Sequence, residues 1–262
     1  MVKDGKISVV INTYNAEKHL EKVLKSVLHF DEIVICDMES SDNTIDIAKR
    51  YGCKIVSFPK KNYVSAEPAR SFAIQCAEHE WVLVVDADEI VPKALREHLY
   101  SEIQKDNPPA GLWIPRKNYF MGHFMHAFYP DYILRFFKRE NTIWPPHVHT
   151  LPIVQGRTEY IYRKHKELAL DHLANDDIYT CIRKINQYTE DEREKKKEKK
   201  YGVLSLFSRP FFRFFKAYIL KKGFLDGKAG LVNACIQAVY QIIMIGKIME
   251  KENQDHLPPI SK

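Results

Sequence analysis

The sequence lacks the glycine-rich loops that hold phosphates in two large nucleotide-binding classes. Only ten of its 262 residues are glycine, and neither GxGxxG nor GxxxxGK[ST] occurs. The first absence argues against a dinucleotide-binding Rossmann domain and the second against a P-loop NTPase, because both classes bring backbone N–H groups onto phosphate oxygens through such a loop. Any nucleotide bound here must be held by other groups.

Cysteine is scarce and a hydrophobic leader is missing. The five cysteines form neither a CxxC pair nor a zinc-finger spacing, and their odd number suits a reducing cytosol. Residues 1–6 are mostly polar and lead into an apolar run of about five residues, far shorter than the core of a signal peptide. We therefore expect a cytoplasmic protein and no secretion.

Positive charge is concentrated in one segment. The net charge is +6, but residues 191–222 contain eleven Lys and Arg against four Asp and Glu, which leaves the remaining chain at −1. A local basic patch beside aromatic residues favours an anionic membrane surface, whereas a nucleic-acid binder spreads positive charge around its groove. No nucleic-acid partner is expected. The alternative for the 191–200 run alone is a solvated helix face.

The first hundred residues alternate apolar β-branched runs with amphipathic helical stretches. Strands are predicted over 7–11, 32–36, 54–58 and 81–85, and helices over 16–28 and 41–51. This βαβαβαβ order predicts an α/β fold with a doubly wound, mainly parallel sheet covered by helices on both faces. Such sheets bind ligands at the carboxyl ends of their strands.

An acidic motif follows the fourth predicted strand. In Asp86-Ala87-Asp88-Glu89, two carboxylates two residues apart can share a hard divalent cation, Mg²⁺ or Mn²⁺, that keeps positions free for phosphate oxygens. The metal would then offset the charge that develops on a diphosphate leaving group. The alternative is an ordinary acidic turn.

A second polar cluster, Asp37 to Thr44, follows the second predicted strand. The Asp37 carboxylate can accept a hydrogen bond from a nucleobase or ribose, while Asp42 or Ser41 can cap the next helix. Arg70 is placed where a helix packs beside this crevice, and a guanidinium suits phosphate or base edges. The alternative for Arg70 is an ordinary surface residue.

Residues 111–154 have an irregular pattern rich in proline and aromatic residues and are interpreted as strands and loops that complete an acceptor side. Within them His147 and His149 alternate, so a strand would direct both to one face, within reach of a metal or diphosphate. We assign His149 as a candidate metal ligand. His172 is interpreted as a helix-entry residue without a chemical role.

The C-terminal third is predicted to be helical, over about 175–200, 210–220 and 227–251. An uncharged 18-residue stretch, 229–246, is long enough to span a membrane, but a polar stripe every four residues favours a buried or interfacial helix. In the 209–220 segment, five aromatic rings lie beside three cations, a composition that favours a bilayer headgroup region. The alternative for this segment is simple packing on the catalytic domain.

Several motifs resemble those of family 2 glycosyltransferases, which have the GT-A fold. In the first half they are Asn12-Thr13-Tyr14-Asn15, the 37–44 run and Asp86-Ala87-Asp88-Glu89. The second half is similar to the branch typified by lipopolysaccharide inner-core β-glucosyltransferases. Its motifs are Tyr129-Pro130-Asp131-Tyr132, Leu134-Arg135-Phe136-Phe137, Val148-His149 and Gly223-Phe224-Leu225-Asp226-Gly227.

The resemblance implies a role for each matching residue. Thr13, Tyr14 and Asn15 would line the nucleotide, Asp37 would meet uracil or ribose, and Arg70 would lie near the base or diphosphate. Asp86 and Asp88 would handle the diphosphate and its metal. An inverting single displacement also needs a base near the acceptor hydroxyl. Asp131 is preferred because it follows the sheet, and Glu89 is the other candidate.

The residues and the resemblance together predict an inverting, metal-dependent transferase that moves a hexose from a nucleotide sugar, expected to be UDP-linked, onto a lipopolysaccharide-core or other cell-envelope acceptor. A catalytic domain is expected over 1–170, with its nucleotide half at 1–105 and its acceptor half at 106–170. A helical extension over 171–262 is expected to bind the inner face of the cytoplasmic membrane. 

Three alternatives compete with this prediction. A nucleotidyltransferase would need a basic glycine-rich loop after the first strand, and a haloacid-type phosphatase would need its Asp-x-Asp there. The third alternative is an inactive membrane scaffold on a transferase fold.

Overall fold

The computed structural model describes residues 5–61, 66–145, 151–173, 177–196 and 199–254. Contacts divide the chain into two compact units. The first comprises Met1–Lys117 and Pro130–Leu173, and the second comprises Asn118–Tyr129 and Ala174–Lys262.

The first half of the chain alternates strands and helices as the sequence predicts. Its strands are β1 (Ile7–Thr13), β2 (Glu32–Asp37), β3 (Lys54–Ser57), β4 (Trp81–Asp86) and β5 (Glu89–Ile90). Its helices are α1 (Glu17–Val27), α2 (Thr44–Arg50), α3 (Glu67–Gln75) and α4 (Lys93–Ile103). The β3-β2-β1-β4 part of the sheet is parallel.

Helices cover both faces of this parallel part because alternate strand residues are apolar in both directions. Val9 and Ile11 of β1 join a core with Leu20 of α1 and Leu95 of α4. Val10 points the other way and packs in a separate core with residues of α3. The predicted doubly wound arrangement is therefore confirmed.

The described part of residues 111–154 forms strands and loops, as interpreted from the sequence, and two of the strands are long. The long strands are β6 (Gly111–Phe120) and β8 (Asp131–Lys138). The short strands after residue 120 are β7 (His123–Phe124), β9 (Thr142–Ile143), β10 (Ile153–Val154), β11 (Thr158–Tyr160) and β12 (Leu170–His172). The sheet continues in the order β4-β8-β6-β12-β5, with β8 antiparallel to both β4 and β6. Pro115 lies within β6, and its partner in the ladder is Tyr132.

The second unit is mainly helical. It contains α5 (Ile178–Lys195), α6 (Ser205–Phe215), a π-helical continuation (Lys216–Leu220) and α7 (Gly227–Gln254). The Asp177 side chain caps α5 by accepting a hydrogen bond from the backbone N–H of Thr180 at 2.7 Å. The predicted C-terminal helices are thus present.

The second unit also carries the most apolar helix and a large exposed apolar surface. Gly223–Lys251 is long and apolar enough to cross a membrane by length and composition, and one third of its most apolar window is buried. On and before α6, Leu204, Phe207 and Phe211 have exposed fractions of 82%, 71% and 72%.

Candidate active site

The loops after β1 and β2 are joined through Asp37. Its carboxylate accepts hydrogen bonds from the Thr13 hydroxyl at 2.8 Å, from the Ser40 hydroxyl at 2.6 Å and from the Ser40 backbone N–H at 2.8 Å. Asp37 is only 4% exposed. Tyr14, by contrast, is 51% exposed, and the Lys60 ammonium lies 5.1 Å from the centre of its ring.

A second set of hydrogen bonds fixes the same two loops to the starts of α1 and α2. Asp42 accepts from the backbone N–H groups of Glu17 and Thr44, the first residues of α1 and α2. The Asn15 side-chain oxygen accepts from the Ser41 N–H, and Asn15 itself has a φ of 48°. Asn and Asp enter this left-handed region more readily than most residues, so Asn15 suits the turn.

Asp86, the last residue of β4, lies between two arginines. Its Oδ1 accepts from Arg70 Nη2 at 2.6 Å, and its Oδ2 accepts from Arg135 Nη2 at 2.7 Å. Both guanidiniums also lie against the Trp144 ring, with their central carbons 5.2 and 5.6 Å from its centre. Binding a cation through Asp86 would therefore require an exchange of one of these ion pairs.

Asp88 faces a histidine. His172 Nε2 lies 3.4 Å from Asp88 Oδ2, and the Asp88 carbonyl accepts from the Leu173 N–H. Burial opposes the charge of each group, but the ion pair outweighs it: His172 lowers the pKa of Asp88, and Asp88 raises the pKa of His172. His172 lies on β12, paired with Glu89, so the interpretation of His172 as a helix-entry residue is wrong.

Glu89 and Asp131 share one arginine. Arg116 Nη1 donates to Glu89 Oε1 at 3.0 Å, and Arg116 Nε and Nη2 donate to Asp131 Oδ2 at 2.9 and 2.7 Å. The Glu89 side chain is fully buried, while the Asp131 side chain is 36% exposed. Burial, followed by the charge of Asp86, raises the pKa of Glu89, and Arg116 opposes this shift.

The structure thus brings most of the predicted site residues to the carboxyl ends of β1, β2 and β4. Thr13 and Asp37 are in direct contact, Arg70 binds Asp86, and Asp131 reaches Glu89 through Arg116. His149, and His147 with it, lie outside the described residues.

Sequence reasoning missed Arg116, Arg135 and Trp144 as parts of the site. Arg135 lay inside a motif that supported the resemblance, but nothing showed which face of its strand it would occupy. Antiparallel pairing of β8 with β4 and β6 brings Arg116 and Arg135 to the acidic motif.

Comparison with protein families identifies the chain. The model of "Glycosyl transferase family 2" matches residues 8–157, more than half of the sequence. The chain belongs to glycosyl transferase family 2. The resemblance stated from the motifs is therefore confirmed, and the enzyme class with it.

Curated relatives cover nearly the whole chain. An uncharacterized glycosyltransferase of Rickettsia conorii is 28% identical over 260 residues, covering 94% of this chain and 90% of that protein. The lipopolysaccharide core biosynthesis glycosyltransferase LpsC of Rhizobium meliloti is 23% identical over 268 residues, covering 96% of this chain and 94% of that protein.

Solved structures show the same fold. The mannosyltransferase PcManGT of Pyrobaculum calidifontis, in complex with GDP-Man and Mn²⁺, has a TM-score of 0.53 and 14% identity, covering 94% of this chain and 88% of that chain. This likeness, together with the family match, confirms the GT-A fold for this family 2 glycosyltransferase.

The described residues can hold a divalent cation through one carboxylate, with substrate phosphates supplying further ligands. Among the ranges that the structure describes, no group of three or more His, Cys, Asp or Glu side chains is arranged to hold a metal ion. Mg²⁺ is commonly held by one or two carboxylates together with substrate phosphates and not by an all-protein cage. Asp88, with a side chain 33% exposed, fits as such a carboxylate.

Proposed function

We propose that this enzyme transfers a hexose from a UDP-sugar, with inversion, to a lipopolysaccharide-core or related cell-envelope acceptor. The observation that carries the proposal is the set of carboxylates at the carboxyl ends of β2 and β4, which flank β1. Asp37 ends β2, Asp86 ends β4 and binds Arg70 and Arg135, and Asp88 follows two residues later. Carboxylates there suit a nucleoside and a cation, and guanidiniums suit a diphosphate.

The nucleotide is proposed to bind along the loops after β1 and β2. Thr13 and Asp37 form the buried floor, and the exposed ring of Tyr14 offers a surface on which a base can stack. Asn15 orders the rim through its bonds with Ser40 and Ser41. A base held here would place its phosphates toward Arg70 and Asp86.

The metal is proposed to bind through Asp88, with His149 as a second ligand. When bound, Mg²⁺ or Mn²⁺ would offset the negative charge on the departing diphosphate. Support comes from the accessible Asp88 carboxylate and from the mannosyltransferase of the same fold that was solved with Mn²⁺. The contribution of this chain is to hold Asp88 in place through His172 and Leu173.

The general base is proposed to be Asp131. A base must reach the acceptor hydroxyl, and the Asp131 side chain is partly exposed whereas Glu89 is fully buried. Arg116 fixes the orientation of Asp131 by donating from two nitrogens to one carboxylate oxygen. Glu89 is proposed to hold Arg116 and, through its 3.0 Å bond from the Asp86 N–H, the start of the acidic loop.

The acceptor is proposed to be presented at an anionic membrane surface on the cytoplasmic side, bound by the second unit. Its exposed rings on α6, including Phe211 and Phe212, lie beside Arg209, Arg213 and Lys216. Aromatic rings with a cationic flank favour the headgroup region of a bilayer. The relative LpsC, named for lipopolysaccharide core biosynthesis, supports the class of acceptor.

The experiment that tests the function is calorimetric binding of a panel of nucleotide sugars, with Mn²⁺ or with EDTA. We expect one UDP-hexose to bind with Mn²⁺, and Asp88→Asn to weaken this binding at least tenfold. The matched control is Asp46→Asn, which changes an exposed carboxylate on α2 and should leave binding unchanged. 

A parent enzyme that binds no nucleotide sugar in either condition would contradict the proposal. That result would favour the inactive membrane scaffold, the class of protein that the exposed aromatic surface of α6 also fits.

A further inference from the structure

One cluster contains two arginines, Arg70 and Arg135, held by Asp86 and Trp144, and we call it the arginine pair. The two arginine side chains are 11% and 9% exposed, and each binds a different oxygen of the same carboxylate. Two guanidiniums and one carboxylate leave a net charge of +1 in a largely buried place. Burying an uncompensated charge is costly, so a cluster of this kind is suited to receive an anion.

Several buried polar atoms beside the arginine pair have no hydrogen-bond partner within the described ranges. They are Nη1 of Arg135, Nε1 of Trp144 and both side-chain polar atoms of Asn12. Asn12 pairs with Asp86 in the β1–β4 ladder. Arg135 is 8% exposed and Trp144 is 6% exposed, so solvent does not readily satisfy these atoms. Unsatisfied buried donors in a native structure call for an explanation, and a ligand that accepts their hydrogen bonds is one.

The geometry of the arginines suits phosphate oxygens. Each guanidinium donates a hydrogen bond from Nη2 to Asp86. The N–H groups of Arg135 Nη1 can therefore donate to another acceptor. A guanidinium is planar and presents its donors in a fixed fork, so a carboxylate on one edge fixes where the other edge points. The Trp144 ring fixes the planes of both groups from one side.

We propose that Arg135 is a second diphosphate-binding residue of this enzyme, and that Asp86 and Trp144 are positioning residues that hold it beside Arg70. The ligand class is a nucleoside diphosphate, so the inference rests on the proposed function. The two aspartates of the acidic motif then differ in role: Asp86 holds the arginines, and Asp88 takes the cation.

The test compares the binding of UDP and of uridine by calorimetry, with EDTA and again with Mn²⁺. Arg135→Met should weaken UDP binding about 10- to 100-fold in both conditions, because a charge-assisted hydrogen bond to the diphosphate is lost. Uridine binding should change less than twofold. Arg135→Lys should recover part of the loss, since it restores the charge but not the fork.

The matched control is Arg139→Met. Arg139 follows the same strand, but its guanidinium donates to the Ala77 carbonyl and its backbone N–H donates to the Glu80 carbonyl. Both acceptors lie near the start of β4, at the opposite end from Asp86. UDP binding should be unchanged in this variant. Thermal unfolding of every variant shows whether it is folded, and Arg135→Lys, which keeps the charge and one donor, carries the comparison if Arg135→Met does not fold.

A separate result tests the division of roles within the acidic motif. The gain in UDP affinity on adding Mn²⁺ should disappear in Asp88→Asn and persist in Asp86→Asn. If Arg135→Met binds UDP as the parent does, or loses uridine equally, the inference is wrong while the proposed function stands. If the parent itself binds no UDP with Mn²⁺, the proposed function fails first.

Discussion

At the scale of single residues, the choice of base depends on accessibility. Asp131 and Glu89 share Arg116, but only Asp131 has an exposed edge. We expect Asp131→Asn to lower kcat by roughly 10²- to 10⁴-fold, the usual contribution of a general base. The dissociation constant for the UDP-sugar should change little, because Asp131 is assigned to the acceptor.

Steady-state kinetics and calorimetry on the same preparation check this prediction. Asp106→Asn, which changes an exposed residue after α4, is the control and should have normal turnover. Near-normal turnover of Asp131→Asn with donor binding unchanged would exclude Asp131 as the base.

The burial of Glu89 can be tested through the pH dependence of the free energy of unfolding. Burial and the Asp86 charge raise its pKa to about 7, so the folded protein favours the protonated carboxyl. The stability that Glu89 contributes is complete below its unfolded pKa of 4.5 and is lost as the pH rises toward 7. We expect Glu89→Gln to become more stable relative to the parent from pH 4.5 to 7, measured by urea denaturation in EDTA. Parallel stability curves for the two proteins would contradict this.

Some of these residues could be assigned to the site from the sequence and others could not, for a physical reason. Asp37, Asp86 and Asp88 follow apolar strands, and the ends of parallel strands meet at one edge, so local pattern is enough to bring them together. Arg116 and Arg135 lie inside strands whose antiparallel pairing depends on contacts distant in sequence. Their faces, and therefore their partners, follow only from the register.

At the scale of secondary structure, the same distinction applies. Helical and β-branched periodicity predicted β1 to β4 and the C-terminal helices close to their observed bounds. For the 111–154 segment the sequence predicted strands and loops but no strand bounds, because its prolines and aromatic residues give no regular period. Pro115 lies within β6, so this proline does not mark the end of a strand.

The packing of α7 on the turn before it depends on Gly230. A Cβ at this position would lie 1.9 Å from the Gly223 carbonyl oxygen, a backbone atom that cannot rotate away. We expect Gly230→Ala to lower the free energy of unfolding by about 1–3 kcal/mol, as overpacking does. Gly246 of the same helix is the matched control, since a Cβ there meets nothing within 4 Å.

Gly246→Ala should be neutral or stabilise by up to about 1 kcal/mol, because alanine is the better helix former. Chemical denaturation of both variants, followed by circular dichroism, gives the comparison. Equal effects of the two substitutions would show that the close approach at Gly230 is relieved without cost.

At the scale of the whole molecule, charge and exposed apolar surface occur in the same part of the chain. Residues 191–222 carry +7 while the remaining sequence is near neutral. Among the described residues, four of the five most exposed large hydrophobic side chains, Val203, Leu204, Phe207 and Phe211, lie on or just before α6. Single exposed aromatic rings are common on the surfaces of soluble proteins, but several adjacent rings beside cations are typical of an interaction site. We therefore expect the second unit to bind anionic membranes.

The prediction is that the enzyme binds vesicles containing phosphatidylglycerol and not vesicles of phosphatidylcholine alone, in a flotation assay. Replacing Phe211 and Phe212, which are 72% and 59% exposed, by serine should abolish most of this binding because their apolar surface no longer enters the interface. UDP binding in solution should be unchanged, since neither ring belongs to the proposed nucleotide site.

Salt separates the electrostatic part of this interaction from the apolar part. Raising the ionic strength from 0.1 to 1 M shortens the Debye length from about 10 to about 3 Å. A protein held mainly by Arg209, Arg213 and Lys216 should then leave the vesicles, whereas one held mainly by its aromatic rings should stay bound. The matched control is Tyr160→Ser, which removes another exposed ring, 59% accessible, from the first unit. If this control loses vesicle binding as much as the α6 variant does, or the α6 variant keeps it, the membrane surface does not lie on α6.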